Sequence, residues 1–295
     1  MDQPHHDRKV SAIVAAYNEE ARIGAVLDLL TTCSHLDEVI VVNDGSTDKT
    51  EAVVKRYPTV RYTKHATNRG KGAAIDTGVQ LAGHDVLFFC DADISGLTHN
   101  MIQQMTEPVT SGRVEMFIGM RNRKIYLVRY FLSFVPLVGG ERALTKNLWQ
   151  SLPAKYKERF KIEAALNFYA AYEGKGFDYC FFSGVTQTIK EKKYGLGHGF
   201  TQRMQMYAEI TVLVFQLQLQ EPPHVLRTRR LLWLGLLRNI VGIAIGSIIM
   251  RLWPLLIPVG LFLIIVNMLF FALSARNLVR TFHLFSHIQG APPKY

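Results

Sequence analysis

Apolar and polar residues alternate in blocks along the first hundred residues of the chain. Three apolar runs are short enough for buried strands, at residues 10–16, 39–42 and 85–90, and residues 60–62 can form a further short strand. Amphipathic stretches between them predict helices at residues 21–30, 47–56 and 73–82. Strands and helices that alternate at this spacing predict an α/β domain with a mostly parallel sheet covered by helices.

Conspicuous polar residues follow each of the main predicted strands. They are Asn18 and Glu19, Asn43 and Asp44, the loop 68–71, and Asp91 and Asp93. The carboxyl ends of parallel strands meet at one edge of a sheet, and ligands of such sheets bind there. The convergence of these polar residues therefore predicts a ligand site at that edge.

The pattern is harder to interpret between the sheet and the C-terminal region. Residues 124–138 are apolar and aromatic with interspersed basic residues, which fits a helix on a membrane surface or an ordinary buried helix equally well. Residues 160–172 predict a further helix, and residues 210–218 fit a strand or a helix.

Two apolar segments near the C-terminus, 231–250 and 253–273, each have about 20 residues, the length that crosses a bilayer. Basic residues flank the pair on both sides, at Arg227, Arg229, Arg230, Arg276 and Arg280. The positive-inside tendency then predicts that both flanks, and the preceding domain, are cytoplasmic. Two buried core helices of a soluble protein are the alternative.

The first segment contains Arg238 and Asn239, which are costly in a bilayer core. Three arrangements would reduce the cost: the span begins nearer Leu236, lies partly in the interface, or meets a partner subunit. A homo-oligomer is therefore left open. The predicted organisation is a domain at 1–225, a transmembrane pair at 231–275 and a basic cytoplasmic tail at 276–295.

Composition restricts the partners. The net charge of +10 indicates an anionic partner, such as nucleic acid, a membrane surface or a phosphorylated substrate. No aromatic-interleaved basic stretch and no zinc-finger spacing favours nucleic acid, so the apolar C-terminal region makes the membrane the better interpretation.

Cysteine usage and the N-terminus indicate the compartment. Cys33, Cys90 and Cys180 are too far apart for a disulfide framework or a metal-binding spacing, which predicts a reducing cytosol. The N-terminal residues MDQPHHDRKV have no apolar core segment, so no cleaved signal peptide is predicted.

The acidic triplet after the fourth predicted strand suggests metal chemistry. Asp91 and Asp93 cannot both enter a core without a large desolvation cost. In a cleft they can bind a hard cation such as Mg2+ or Mn2+ and leave coordination positions for the phosphates of a nucleotide sugar. Aspartates this close are also common on solvated loops, so the setting after a buried strand decides the interpretation.

Two further motifs suit a nucleotide. In VVNDGSTD, Gly45 allows a tight turn, Asp44 can accept hydrogen bonds from a base or ribose, and a local turn and helix cap account for Asp48. In NRGKGAA, backbone amides with Arg69 or Lys71 can bind phosphate, although a solvated turn is the simpler interpretation of that stretch alone.

The series AAYNEE, VVNDGSTD, NRGKGAA and DAD, in this order, resembles the family 2 glycosyltransferases of the Rossmann-like GT-A fold. The resemblance implies an inverting enzyme that uses a nucleotide-sugar donor, a UDP- or GDP-sugar. The following stretch is similar to the polyprenyl-phosphate glycosyltransferases, in the strand end 119–121 and the element 140–144. That group implies a lipid-phosphate acceptor, and many of its bacterial members share a C-terminal transmembrane pair.

The resemblance also implies roles for individual residues. Those on the nucleotide and donor side are Ala15, Tyr17, Glu19, Asp44, Lys71 and Asp91. Asp91 and Asp93 would serve the metal, and Arg121 and Arg142 would face the acceptor phosphate and the diphosphate. Lys192 and His198 would replace the arginine and lysine of a late motif, although a loop histidine is the simpler interpretation of His198.

Some positions depart from the family pattern. The group usually has proline at Ala15, aspartate at Asn43, and a glutamine that assists the metal at Ser95. Lys192 and His198 keep charge but lose the bidentate geometry of arginine. These departures leave the fold unchanged and bear on the acceptor.

Two kinds of acceptor would use the site differently. A lipid phosphate is ionised near neutral pH and needs no base, whereas a hydroxyl on a glycerolipid or glycan does. Glu163 matches the place of an acidic residue near the acceptor in the family and is the candidate base, or simply an acidic residue near a helix start. The alternative from another class is a membrane-tethered nucleotide-binding scaffold with a decayed active site.

Overall fold

The computed structural model describes residues 8–121, 139–158, 161–172, 174–187, 209, 212–213, 216–217 and 223–281. Four earlier predictions fall outside these residues: the interfacial helix at 124–138, the roles of Lys192 and His198, and the tail beyond residue 281. The described residues form two compact units: one holds residues up to 217 and the other holds the helix pair from residue 223 onward.

Among the described residues, the first unit contains nine strands, six α-helices with the bounds given below, and five further helical residues at 209, 212–213 and 216–217. The strands are β1 (Val10–Ala16), β2 (Glu38–Asn43), β3 (Arg61–Lys64), β4 (Val86–Asp91), β5 (Ile94–Ser95), β6 (Met116–Arg121), β7 (Glu141–Thr145), β8 (Phe177–Phe182) and β9 (Thr186–Gln187). The helices are α1 (Ile23–Thr31), α2 (Thr50–Val54), α3 (Lys71–Leu81), α4 (His99–Thr110), α5 (Lys146–Ser151) and α6 (Lys161–Tyr172), with a 3-10 turn at Ala154–Tyr156.

Seven strands form one sheet in the order β3-β2-β1-β4-β7-β6-β8. Strands β1 to β4 pair in parallel, as do β6 and β8, while β7 runs antiparallel between β4 and β6. Strands β5 and β9 form a separate antiparallel pair. The predicted α/β class with a mostly parallel sheet is confirmed.

The apolar runs that predicted strands form the centre of this sheet. Strands β1 and β4 are almost wholly buried, and the ring of Phe89 meets that of Trp149 from α5 edge to face at 5.2 Å. Burial of this apolar surface on both faces of the sheet stabilises the parallel arrangement. Because β1 and β4 are adjacent, their polar ends are held side by side.

Helix α2 is shorter than the predicted 47–56. The backbone amide of Ser46 donates to the side chain of Asn43 at 2.9 Å, and that of Thr50 donates to Asp48 at 3.0 Å. These side-chain bonds hold the segment before residue 50 in turns and leave a helix of only five residues. The local turn interpretation of Asp48 is thereby confirmed, whereas the predicted side-chain cap is not observed, because the N-cap residue of α2 is Lys49, whose side chain makes no capping hydrogen bond.

The second unit is a helix pair. Helix α7 (Pro223–Leu252) is followed by a 3-10 turn at Pro254–Leu256 and helix α8 (Ile257–Thr281). Within them, Arg230–Leu252 and Ile257–Ala275 are long and apolar enough to cross a membrane, with mean hydropathies of 1.8 and 2.4. Only 17% and 6% of these stretches are buried, so neither is a core helix of this unit.

Glycines allow the two helices to approach closely. A Cβ atom on Gly246 would lie 2.8 Å from the carbonyl oxygen of Gly260, and one on Gly242 would lie 2.4 Å from Cγ of Asn267. Small residues at such contacts are the common means of packing helices in membranes, where apolar burial gives little driving force.

Candidate active site

The loops that follow β1 and β2 are fastened to each other. The amide oxygen of Asn18 accepts from the backbone of Thr47 at 2.9 Å, and the backbone of Asn18 donates to the Ser46 hydroxyl at 3.0 Å. Asn18 adopts a left-handed backbone with φ of 54°, which asparagine tolerates better than most residues. The resulting turn leaves Tyr17 39% exposed at the end of β1.

The other predicted residues of the first motif lie close by. Ala15 is the register partner of Asp91 on the neighbouring strand β4, so it borders the acidic triplet directly. The buried carboxylate of Glu19 accepts from Nε of Arg22 at 2.8 Å, and its backbone amide donates to Thr50 at 2.8 Å. Glu19 therefore stabilises the loop at the same edge of the sheet.

Asp44 is buried and fixes the glycine-containing loop that follows β3. Its Oδ1 accepts from the backbone amide of Arg69 at 2.9 Å, and its Oδ2 accepts from that of Gly70 at 2.7 Å. Gly45, with φ of 74°, lets this turn approach closely, because a Cβ there would lie 2.6 Å from the carbonyl carbon of Thr67. Both carboxylate oxygens of Asp44 thus already bond to the protein.

His65 belongs to this arrangement and was missed by sequence reasoning. Its Nδ1 lies 2.7 Å from Oδ1 of Asp44, and its Nε2 lies 3.0 Å from the hydroxyl of Thr77 on α3. A single histidine just after a short strand forms no recognisable sequence motif. Its position next to Asp44 follows from the fold and could not be read from the sequence.

Lys71, the first residue of α3, reaches the acidic triplet. Its Nζ lies 2.6 Å from Oδ1 of Asp91. Partial removal from water opposes the charged form, but the carboxylates of Asp91 and Glu163 outweigh it and raise the pKa of Lys71. Lys71 is therefore a permanent cation at the end of β4.

Asp91 ends strand β4, and Asp93 follows in the turn before β5. The backbone of Gly140 lies directly against Asp91, because a Cβ at that glycine would lie 2.3 Å from Oδ2. The described residues include no group of three or more metal-ligating side chains. Two carboxylates with hard oxygen atoms nevertheless fit Mg2+ or Mn2+, which take remaining ligands from water and phosphate.

Strand β7 brings a further carboxylate to this edge. Because β7 runs antiparallel to β4 and β6, its first residue, Glu141, lies where those two strands end. Oε2 of Glu141 lies 3.7 Å from Nε of Arg121, the last residue of β6. Burial and the charge of Asp91 raise the pKa of Glu141 to about 7, although Arg121 and Lys71 oppose this shift.

Arg142 lies inside the protein. Its Nε donates to the carbonyl of Gly139 at 2.7 Å, and its Nη1 donates to Oδ1 of Asn167 at 2.7 Å. Burial lowers the pKa of Arg142 to about 10, against the opposite influence of Glu163 and Glu141. The side chain is 1% exposed, so the structure shows no direct path from Arg142 to an acceptor, and its predicted role stays a prediction.

Glu163 lies in the first turn of α6. Its Oε2 is buried and has no hydrogen-bond partner in the described part of the chain. Its charge acts on both Lys71 and Arg142, which places the carboxylate near the end of β4. Five other predicted residues therefore lie around Asp91 and Asp93 of the acidic triplet: Ala15, Lys71, Arg121, Arg142 and Glu163.

Residues 11–133 match the model of the family "Glycosyl transferase family 2". The described strands β2 to β6 and all four polar motifs lie within this range. This part of the chain matches a family 2 glycosyltransferase domain, and the resemblance inferred from the four motifs is confirmed.

Three curated relatives each match less than a third of the chain. The dolichyl-phosphate beta-glucosyltransferase of Mus musculus is 34% identical over 101 residues, 29% of this chain and 31% of the mouse protein. That of Drosophila melanogaster is 39% identical over 100 residues, 29% of this chain and 31% of the fly protein. The uncharacterized glycosyltransferase YaiP of Escherichia coli is 43% identical over 88 residues, 28% of this chain and 22% of YaiP. The chain thus spans less than a third of the length of these relatives.

Solved structures share the fold. Glucosyl-3-phosphoglycerate synthase from Mycobacterium tuberculosis, in complex with Mn2+, UDP and glucosyl-3-phosphoglycerate, matches with a TM-score of 0.58 and 19% identity. The match covers 71% of this chain and 80% of that one. Its complex with Mn2+, UDP-glucose and phosphoglyceric acid gives a TM-score of 0.53 and 22% identity over 61% of this chain and 72% of that one. The GT-A fold is therefore confirmed.

Proposed function

We propose that this chain transfers a sugar, with inversion at the anomeric carbon, from a nucleoside diphosphate sugar to a polyprenyl phosphate. The observation that carries the proposal is the set of opposite charges at one edge of the sheet, with Lys71 on Asp91 and Arg121 beside Glu141. Carboxylates there suit a divalent cation, and cations suit phosphate oxygens. Bringing a phosphate to a diphosphate sugar requires both kinds of group.

Glucose and UDP are the first donor components to test. The mouse and fly relatives are named dolichyl-phosphate beta-glucosyltransferases, and the Mycobacterium tuberculosis enzyme of the same fold was crystallised with UDP-glucose and Mn2+. GDP-sugars are the alternative donors. The residues proposed to border the nucleotide are Tyr17, Glu19 and Asp44, with Asp44 acting by shaping the loop 68–70.

In the proposed reaction, an oxygen of the acceptor phosphate attacks the anomeric carbon while the bond from that carbon to the donor diphosphate breaks. The acceptor oxygen is ionised near neutral pH, so the step needs no general base. Lys71 stabilises negative charge on the departing diphosphate, and Arg121 binds the acceptor phosphate. Mg2+ or Mn2+, held by Asp91 and Asp93, supplies further charge neutralisation when bound.

We further propose that the helix pair anchors the enzyme in a membrane. The apolar stretches of α7 and α8 expose most of their large side chains, which water disfavours and lipid accepts. With basic residues flanking the pair, the domain at 1–225 and the tail at 276–295 would face the cytoplasm, and 231–275 would hold the spans.

The activity is tested with the full chain extracted from membranes in mild detergent. We expect sugar transfer to a polyprenyl phosphate from UDP-glucose, or from another UDP- or GDP-sugar of a panel, only when Mg2+ or Mn2+ is added. Mass spectrometry of the extracted lipid would identify the product. If the chain binds nucleotide but releases none from any donor sugar, whichever lipid-phosphate or glycerolipid acceptor is added, a scaffold without activity is favoured instead.

The membrane anchor is tested separately by treating membranes with alkaline carbonate. Recovery of the chain in the soluble fraction would contradict the membrane anchor.

A second candidate function is transfer to a hydroxyl of a glycerolipid or glycan. The observation that favours it is the buried Oε2 of Glu163, which has no hydrogen-bond partner among the described residues. A carboxylate oxygen that is buried near Lys71 and has no hydrogen-bond partner among the described residues could accept the proton of an acceptor hydroxyl.

The variant Glu163→Gln separates the two acceptors, because it removes the base and keeps the size of the side chain. With a lipid-phosphate acceptor we expect kcat within about threefold of wild type, whereas a hydroxyl acceptor should lose roughly 10²- to 10⁴-fold. Glu158→Gln is the matched control, since Glu158 is exposed and pairs, within the described part of the chain, with Lys161. A large loss of transfer to polyprenyl phosphate in Glu163→Gln alone would contradict the base-free step.

A further inference from the structure

Glu141 combines three properties that a structural carboxylate rarely has together. It is 2% exposed, its two carboxylate oxygens accept no hydrogen bond from the described residues, and it lies beside a site rich in charge. Burial of a carboxylate without hydrogen bonds costs free energy unless a cation lies beside it. The cation here is Arg121, whose Nε is 3.7 Å from Oε2 of Glu141.

The backbone around Glu141 holds it firmly in this place. Glu141 opens β7 opposite Gly119 of β6. Just before it, a Cβ on Gly139 would lie 2.8 Å from the carbonyl oxygen of Gly119, and one on Gly140 would lie 2.3 Å from Asp91. Two glycines thus let the chain pass between the ends of β6 and β4, and Glu141 has little freedom to move.

Arg121 has two carboxylates within electrostatic reach. The charge of Asp91 acts strongly enough on Glu141 to raise its pKa, so the two acidic groups lie close together, with Arg121 beside them. Without the charge of Glu141, Asp91 would be the stronger attraction for the guanidinium. Arg121 would then turn toward the place proposed for the metal and the donor diphosphate, and away from the acceptor.

We infer that Glu141 is a positioning residue for acceptor recognition, which holds Arg121 on the acceptor side of the site and keeps it off Asp91. The inference rests on the proposed function. The distance of 3.7 Å between Nε of Arg121 and Oε2 of Glu141 is longer than a hydrogen bond, so Glu141 acts on the guanidinium through its charge. Glu141 itself is too deeply buried to touch a substrate.

The test compares Glu141→Gln with wild type in the full chain, using polyprenyl phosphate as acceptor. We expect the KM for the acceptor to rise about tenfold, because a misplaced binding group costs productive alignment. Because the displaced Arg121 would lie near the place proposed for the donor diphosphate, the KM for the donor and the slow hydrolysis of donor without acceptor should also change, but by less than about threefold. Asp76→Asn is the matched control: this carboxylate pairs with Lys157 and Trp149, away from the acidic triplet.

A double-mutant cycle with Arg121→Gln shows whether Glu141 acts through Arg121. Adding Glu141→Gln to Arg121→Gln should change the acceptor KM by less than about twofold, because coupled residues are not additive. The inference is overturned if Glu141→Gln leaves the acceptor KM unchanged, changes donor and acceptor parameters alike, or has its full effect without Arg121. Absence of transfer by the wild-type chain would instead count against the proposed function, so the two failures are distinguishable.

Discussion

The variant Asp93→Ala is expected to lose about 10³-fold in kcat for sugar transfer, which corresponds to roughly 4 kcal/mol of transition-state stabilisation. Asp93 lies in the turn after β4 and is only partly buried, so we expect the variant to keep the fold. Its removal leaves one carboxylate where the proposed site has two. Initial rates at saturating donor, measured across a titration of Mn2+, would give the loss, and thermal unfolding would report the fold.

Ser95→Ala is the matched control, because Ser95 lies two residues further in the same short segment. The serine stands where the family pattern has a glutamine that assists the metal. Its hydroxyl is exposed, and we expect the variant to transfer sugar within about twofold of wild type. Near-normal, metal-dependent turnover by Asp93→Ala would exclude Asp93 as a metal ligand.

The sequence predicted those elements that depend on a local pattern of residues. Strand β1 was predicted with its observed limits, Val10–Ala16, because strands buried on both faces of a parallel sheet are continuous apolar runs. The same reasoning placed the ends of β2 and β4 at one edge. Polar residues directly after those strands then had to lie near each other, and Ala15 and Asp91 are indeed register partners.

The antiparallel strand β7 could not be predicted in this way. It pairs with β4 on one side and β6 on the other, which are pairings between segments far apart in the chain. Residues of a central strand are covered on both faces of the sheet, and all five residues of β7 are buried. A stretch containing Glu141 and Arg142 therefore looks like surface in the sequence although the fold encloses both.

The motif around Asp44 was recognised from the sequence, but the hydrogen-bond partners of its carboxylate were not predicted. The sequence predicted a contact with the nucleotide, since a carboxylate after a strand and before a tight turn suits that role. In the structure the same carboxylate bonds to the backbone amides of Arg69 and Gly70 and to His65. These partners come from a loop about twenty-five residues away, so no local pattern could reveal them.

The variant Gly140→Ala is expected to reduce transfer by about 10²-fold, because the added methyl group displaces a catalytic carboxylate. A Cβ at this position would lie 2.3 Å from Oδ2 and 2.8 Å from Cγ of Asp91, closer than such atoms approach. The carboxylate must turn away, since its backbone is held in β4 against Ala15. Turning also breaks its contact with Lys71, so the apparent affinity for Mn2+ and the KM for the donor should both worsen.

Gly83→Ala provides the control for a glycine substitution outside the site. The nearest atom to a Cβ there is Oε2 of Glu38 at 3.6 Å, which is an ordinary contact. We expect this variant to keep wild-type transfer. If Gly140→Ala also kept it, Asp91 could occupy its displaced position without loss, and the orientation shown in the structure would not be the one that transfer requires. A loss confined to Gly140→Ala would show that transfer requires the arrangement in which Gly140, just before β7, packs against Asp91 at the end of β4.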